Sequence, residues 1–519
     1  MSTLEIFARN QPERTAVIVA ETGATRTYGD LHARAARLAS FLAQRFEQGE
    51  VIAVLLSNRL EYFEVCFAAR YAGLYYVPVS THLTPAELAH ILRDSGAKML
   101  VTEASFEGTI ACLEAELRAS FSVLWTDLGP VSNSHCYADI VTSGPVPNLP
   151  ERATGIDFAY SSGTTGRPKG VRHAITGDPQ MANTMKSSNW TSFLKFDEAS
   201  VYLSPAPLYH AAPLRISIRC LVNGGKVVVM ERFDARGALA AMQKHRVTHS
   251  QWVPTMFVRL LNLPDEIRES FDLSGHKVAV HAAAPCSVEV KQKMIAWWGP
   301  IVWEYYAGSE RAGVTLLSSQ EWLTHPGSVG RAVEGELHIL DSDWHECPVG
   351  VDGLVCFAGG PRFEYHNDPE KTLEAHTPQG WGTYGDIGHV DEGGYLYLTD
   401  RRANMIISGG VNIYPQEAEN ILLEHPLVRD VAVIGVPNEE FGEEVKAVVE
   451  LRDPTLAGTE SAALLIQYCR DRLSHIKCPR SVDFASELPR TETGKLLKRV
   501  IRDQYRAASR PSQPSLPKT

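Results

Sequence analysis

"YGDLHARAARLASFLAQRFEQGEVIAVLL", residues 28–56, read together with "TPAELAHILRDSGAKMLV", residues 84–101, decides the fold class. In the first stretch Leu31, Ala35, Leu38 and Leu42 recur at helical spacing, so one face of a helix is apolar, and "VIAVLL" (51–56) reads as a buried strand. In the second, Thr84 and Glu87 make a capping box, Pro85 takes the first helical position, and Gly96 stops the helix ahead of the short strand "KMLV". Helix and strand alternating in this way predict an α/β layered fold.

Outward from there the texture changes twice. Residues 200–305 repeat the α/β style, with "GGKVVVM" and "HKVAVHAA" as parallel strands. From about 327 to 398, Gly-punctuated alternating runs such as "GELHIL", "GLVCFAGG" and "GGYLYLTD" predict a β-rich subdomain of hairpins. After Asp400 come a turn-rich loop "SGGVNIYP", a helix "QEAENILLEH", strands "VRDVAVIGVP" and "EEVKAVVELR", and a helix near 461–473, the order of a small α+β unit. The expected organisation is a large N-terminal domain (1–399), a hinge (400–404), a small mobile C-terminal α+β domain (405–507) and a disordered Pro/Ser-rich tail (508–519).

Composition excludes several classes. The 519 residues are 44% hydrophobic and 21% charged, ordinary globular usage with a core to bury. A net charge of −11 without a long Lys/Arg block argues against a nucleic-acid or anionic-membrane partner. The nine cysteines form no C-x-x-C pair, so neither a zinc knuckle nor a redox pair is indicated, and reduced thiols in a cytoplasmic protein are expected. No signal-like start and no 18-residue apolar run occur, so no integral membrane association is expected. Oligomeric state is not legible.

The strongest chemical signal is "YSSGTTGRPKG", residues 160–170. Ser161, Ser162, Gly163, Thr164, Thr165 and Gly166 let backbone N–H and hydroxyl donors converge on an anion, and Lys169 adds a cation. The spacing differs from the G-x-x-x-x-G-K-[ST] loop. Gly380, Gly382 and Gly385 spell G-x-G-x-x-G, but a Pro-Gln-Gly turn precedes them and strand-like sequence follows, so this is no dinucleotide fingerprint.

"YSSGTTGRPKG" resembles the phosphate-binding signature of the adenylate-forming (AMP-binding) superfamily, which includes the acyl- and aryl-CoA synthetases. Further segments in the family's order extend the resemblance from about residue 10 to 505. "EYYAGSE" (304–310) is similar to Y-G-x-T-E, and implies Tyr306 stacking on adenine, Ser309 in place of the threonine, and Glu310 and Thr164 holding Mg²⁺. Here Ala307 replaces glycine, and Glu304, beside Tyr305, stands where Asn or Asp contacts the adenine amine. "HAAAPCS" (281–287) resembles the adenine-pocket wall through Ala283 and Ala284. In the long match 381–420, Asp386 and Arg401 would grip the ribose hydroxyls. "LPRTETGKLLKR" (488–499) resembles the C-terminal lysine signature, with Lys495 as the catalytic cation.

The resemblance implies an ATP-dependent carboxylic acid–CoA ligase that forms an acyl-adenylate and passes the acyl group to CoA, with ATP, Mg²⁺ and CoA as cofactors and co-substrates. A stand-alone enzyme loading a carrier protein is the alternative. Ala403 and Asn404 occupy the hinge positions, and Ser408, Gly409 and Gly410 would face the thiol tunnel. His210 matches a histidine bordering the acyl site. Trp190, Phe193, Trp252, Met256 and Phe257 are offered as pocket lining, which points to an apolar acid of fatty acyl, aryl or steroid side-chain type; no charged residue is seen awaiting a second polar end.

Overall fold

The computed structural model describes residues 3–127, 136–161, 168–175, 189–401, 404–408, 411–438, 441–490 and 496–508. The helix Tyr28–Ala43 forms where the spacing predicts it, capped by Thr27, with Leu31, Ala35, Leu38 and Leu42 all fully buried. Helix Pro85–Ser95 carries both hydrogen bonds of the Thr84/Glu87 capping box and ends on Gly96 at φ +64°. Both helices bury an apolar stripe against sheet, so periodicity and capping act together.

Among the described residues the largest sheet has nine strands. Its centre is parallel: Thr15–Val19, Lys226–Val229, Val201–Ser204, His249–Trp252, Val278–His281 and Val302–Ala307 lie side by side in that order. Antiparallel strands close both edges, Thr25–Thr27 on one and Val314–Leu317 then Arg331–Glu334 on the other. A second, four-stranded parallel sheet holds Val51–Leu55, the expected buried strand, between Tyr75–Pro78 and Met99–Thr102. The largest hydrophobic cluster joins Ile52 and Val54 of the smaller sheet to Val17, Val227 and Val280 of the larger, with Leu31, Phe63 and Leu214 among its members. A separate cluster on the opposite face of the nine-stranded sheet packs Leu203, Val228 and Trp252 against Leu239, Phe257 and Met294.

The Gly-punctuated region is the expected run of antiparallel strands, Glu336–Leu340, Gly353–Ala358, Gly382–Val390 and Leu396–Arg401. Beyond it, "SGGVNIYP" differs from a plain loop: Ile406–Ser408 and Val411–Ile413 pair as a short hairpin, because Ile406 and Ile413 supply a buried face. Helix Pro415–Leu423, strands Val428–Asn438 and Gly442–Leu451, and helix Thr459–Arg470 follow in the expected order. These residues build their own hydrophobic clusters, and Tyr414 also packs against Leu340, Leu354, Cys356 and Ile387 of the preceding sheet. The tail beyond residue 508 lies outside the described residues.

All nine cysteines are free, five of them buried. No helix among the described residues is long and apolar enough to cross a membrane.

Two core histidines give the fold an acid limit. Burial pushes His249 down to about 4 and His276 down to about 3. His276 Nε2 lies 2.7 Å from Ser250 Oγ, which accepts from Trp252 Nε1 at 2.6 Å. Folded values below the ordinary 6.5 mean that the unfolded chain takes up protons first as pH falls. The stabilisation is therefore complete above about pH 6.5 and is lost toward pH 4, at about 2 kcal/mol per histidine by pH 5. Melting temperatures at pH 7.5 and pH 5 should differ accordingly, and His276→Asn should flatten that difference.

Candidate active site

Strand Ala159–Ser161 pairs antiparallel with Lys169–Arg172, and Ser161 is the Cα partner of Lys169. Ser162, Gly163, Thr164, Thr165 and Gly166 lie outside the described residues. Lys169 Nζ sits 5.6 Å from the Tyr365 ring centroid and 3.9 Å from Asp368 Oδ2. Burial and the nearby Lys371 lower its pKa.

Tyr365 carries the line onward, its hydroxyl donating to Glu310 Oε1 at 2.8 Å. Glu310 follows the end of strand Val302–Ala307, whose Tyr306 donates to Asp386 Oδ2 at 2.6 Å. Arg401 Nε meets Asp386 Oδ1 at 3.1 Å, and Asp386 and Arg401 are Cα partners on neighbouring strands. The Asp386 charge raises the pKa of Arg401, while burial and then that same charge raise the pKa of Tyr306. The structure therefore brings Lys169, Glu310, Tyr306, Asp386 and Arg401, five residues singled out from sequence, to one place.

Tyr365, Asp368 and Tyr384 belong to the same place and were missed. Tyr384 closes it: its hydroxyl accepts from Gly313 N–H at 3.0 Å and donates to Gly313 C=O at 2.7 Å, and its ring meets Tyr306 edge-on at 5.5 Å. A Cβ on Gly308 would lie 2.4 Å from Tyr384 Cε1 and 2.5 Å from Glu310 Oε2, so only glycine fits there. A signal for Tyr384 existed, since it stands two residues before Asp386 on one strand and so shares its face. Nothing comparable marks Tyr365.

Ser309 contributes its backbone, accepting from His173 Nε2 at 3.2 Å. Burial and the charge of Arg311 hold His173 down at about 4, so the imidazole is neutral and the nitrogen facing the carbonyl carries the proton. Ala307 ends the strand opposite Val314. Tyr305 points to the other face, where Gln251 Nε2 donates to its hydroxyl at 3.1 Å. Glu304 is buried, with Lys291 Nζ at 2.5 Å from its Oε2 and His281 Nε2 at 3.5 Å. Burial raises its pKa against the pull of Lys291, and the carboxylate meets this internal cation instead of standing open as a free acceptor.

Ala284 is half-buried at the end of strand Val278–His281, and Ala283 holds φ +76°. In that left-handed backbone alanine is strained, and glycine would fit without strain. Ala283→Gly should stabilise the protein by up to about 1 kcal/mol, and Ala283→Val should lower the melting temperature, both read by thermal denaturation.

His210 caps the helix Ala211–Val222, and its Nε2 is shielded from solvent with no hydrogen-bond partner among the described residues. Burial holds it down at about 4, so it stands as a neutral ring. The proposed acyl lining needs correction. Trp252, Met256 and Phe257 lie in the core on the far side of the nine-stranded sheet, where Trp252 meets Trp298 at 5.4 Å and Phe257 at 6.3 Å. The reason is strand alternation: Gln251, and not Trp252, points toward the Tyr305 face. Phe193 stacks on Trp303 at 4.8 Å. The Trp190 side chain, Ala403, Gly409, Gly410 and Lys495 lie outside the described residues.

Asp400 is a node at the expected hinge. It is buried, its Oδ1 accepts from Arg401 N at 2.6 Å and from Asn404 Nδ2 at 3.1 Å, and its Oδ2 accepts from Gln416 N at 2.9 Å. Lys498, three residues after Lys495, lies 3.9 Å from Asp400 Oδ2 and 2.8 Å from Glu419 Oε1. Ser408 is buried in the adjoining hairpin.

The family model described as AMP-binding enzyme matches residues 4–362, and that described as AMP-binding enzyme C-terminal domain matches residues 417–495. The long-chain-fatty-acid–CoA ligase FadD13 of Mycobacterium tuberculosis is 33% identical over 503 residues, covering 96% of each chain. A feruloyl-CoA synthase from an Amycolatopsis species is 34% identical over 507 residues, covering 96% of this chain and 97% of that one. The crystal structure of ATP-bound MatB from Rhodopseudomonas palustris superposes with a TM-score of 0.83 at 28% identity, covering 98% of this chain and all of the other.

Proposed function

The chain belongs to the AMP-binding enzyme family, in its acyl-CoA synthetase branch, and from that premise we propose how its residues divide the work of an ATP-dependent carboxylic acid–CoA ligase acting on an apolar acid. The observation that carries the reading is the junction of Tyr306, Asp386 and Arg401 with Glu310, Tyr365 and Lys169.

In this reading Tyr306 flanks adenine beside Ala283, Ala284 and Ala307, with Glu304 behind. Asp386 accepts from the ribose hydroxyls while Arg401 holds it in place. Ser161 to Gly166 and Lys169 cradle the triphosphate. Glu310 would hold Mg²⁺ with Thr164: an oxygen-donor carboxylate fits a cation that is commonly bound by one or two protein oxygens plus substrate phosphates. Bound there, the ion would neutralise charge on the departing pyrophosphate.

The chemical obstacle is that two anions must meet. A carboxylate oxygen forms a bond to the α-phosphorus, and the bond from that phosphorus to the bridging oxygen breaks as pyrophosphate leaves. Lys495 spans carboxylate and α-phosphate in this step, in a water-poor site. In the second step the sulfur of CoA attacks the acyl carbon, its proton departs, and AMP leaves. Lys495 and the thiol need the same face of the adenylate, so residues 405–507 turn about 400–404 between the steps and bring Ser408, Gly409 and Gly410 to the thiol. A cytoplasmic location is supported by the nine free thiols.

A panel of acids tested for AMP release with and without CoA decides the acceptor. Turnover should require CoA, while ATP–pyrophosphate exchange should not. AMP release indifferent to CoA, or absent with every acid, would sink the reading.

A further inference from the structure

Ser161, Lys169 and Tyr365 stand on three strands of one small sheet, in the order Glu364–Tyr365, Lys169–Arg172, Ala159–Ser161. These strands have two, four and three residues, against about five or six in an ordinary strand. So short a ladder holds its own geometry weakly, and an element outside it must fix where the three side chains stand. Helix Pro85–Ser95 lies against it. Leu88, Ile91 and Leu92 of that helix are buried in one hydrophobic cluster with Val77 and Leu100 of the four-stranded sheet, and Phe158 belongs to the same cluster.

His90 and Asp94, one turn apart, are neighbours on the helix surface, and both are half-buried. Between them they hold an end of each strand. The Tyr160 hydroxyl donates to Asp94 Oδ2 at 2.6 Å. His90 Nε2 donates to the carbonyl of Pro168, the residue before Lys169, at 3.0 Å. Just past Tyr365, His366 Nε2 donates to the Asp94 carbonyl at 3.0 Å, and Asn367 Nδ2 donates to the same carbonyl at 3.3 Å and to Asp94 Oδ1 at 3.2 Å. Asp94 lies in the last turn of its helix, where the dipole disfavours an anion and the carbonyls lack intrahelical donors. An acid placed there serves the sheet and not the helix. Burial, then the bond to Asp94, raises the Tyr160 pKa, so the phenol remains a donor.

We propose that His90 and Asp94 are positioning residues for ATP: through Tyr160, Pro168, His366 and Asn367 they set Lys169 against Tyr365, and so fix where the triphosphate is held. Two contacts pass the placement on. Asp368, next to Asn367, lies 3.9 Å from Lys169 Nζ, and the Tyr365 hydroxyl donates to Glu310. Both residues act through the strands they hold, without touching the nucleotide. The triphosphate is held before any bond changes, so a misplaced grip is read in KM for ATP more than in kcat. The inference rests on the ligase reading above and deepens it.

Three variants test it: His90→Leu, His90→Gln and Tyr160→Phe, the last keeping the ring that packs 5.1 Å from Phe158 and removing only the hydroxyl. ATP–pyrophosphate exchange with an acid that is turned over gives KM for ATP. His90→Leu and Tyr160→Phe should each raise it about 5- to 30-fold, while thioester formation from a preformed acyl-adenylate, which uses no triphosphate, stays within about twofold. His90→Gln, whose amide N–H replaces the lost donor, should return KM to within about threefold of wild type. Loss of folded enzyme lowers kcat and leaves KM alone, so a merely structural role does not imitate this pattern. An unchanged KM for ATP in His90→Leu or Tyr160→Phe, equal damage to both half-reactions, or a His90→Gln variant no better than His90→Leu would overturn the proposal. Calorimetric titration with ATP and Mg²⁺, without acid, separates it from the ligase reading. If the wild type binds ATP but exchanges with no acid, the ligase reading falls, and weaker or unchanged binding in the variants still decides the clamp. A wild type that binds no ATP overturns both.

Discussion

Lys495→Ala is expected to lose acyl-adenylate formation by about 10²–10³-fold or more while retaining most thioester formation from a preformed acyl-adenylate. The asymmetry follows from charge. In the first step the carboxylate and the α-phosphate are both anionic, and an ammonium between them acts most strongly in the transition state, when they are closest. In the second step the electrophile is a mixed anhydride, already activated, and in the proposed reading the ammonium is no longer needed beside it. Lys498, three residues further along the chain, opens helix Lys498–Ala508 and is ion-paired to Glu419 at 2.8 Å. Single-turnover assays of each half-reaction separate the outcomes. Equal losses in both halves would remove Lys495 from its role.

Asp157→Ala should cost roughly 3–5 kcal/mol of stability, the penalty for leaving one member of a buried ion pair without its partner. Burial alone would raise the Asp157 pKa, but Arg215 and Arg311 hold it well below the ordinary carboxylate range. The backbone around Asp157 is bridged to Tyr76 by main-chain hydrogen bonds that either substitution leaves in place, so the loss measured is that of the carboxylate. Removing the charge alone, in Asp157→Asn, should destabilise nearly as much as Asp157→Ala. Chemical denaturation measures both. A change below about 1 kcal/mol in each would show that the arginines find other partners.

Much of the fold was legible because local rules and packing agree. Thr84, Glu87, Pro85 and Gly96 bound their helix as capping chemistry dictates, and Leu31 to Leu42 are buried as their spacing requires. The residues proposed to bind the nucleotide were legible as motifs, and Tyr306, Asp386 and Arg401 meet although 80 residues separate the first two. The lining proposed for the acid was not. Trp252, Met256 and Phe257 looked like lining because aromatic and Met residues suit pockets and cores alike, and only the strand's alternation says which face they take. The pairing of Arg215 and Arg311 gave no warning, since their common neighbour Asp157 lies far from both in sequence and a buried carboxylate has no linear signature.

The opposed side chains of Tyr305 and Tyr306 have a consequence for descent with modification. One backbone segment faces two environments, and substitutions on its Tyr305 side, on helix Ala211–Val222 or at Gln251 leave the Asp386–Arg401 pair untouched. Changes can therefore accumulate on one face of the strand while the other is inherited unchanged.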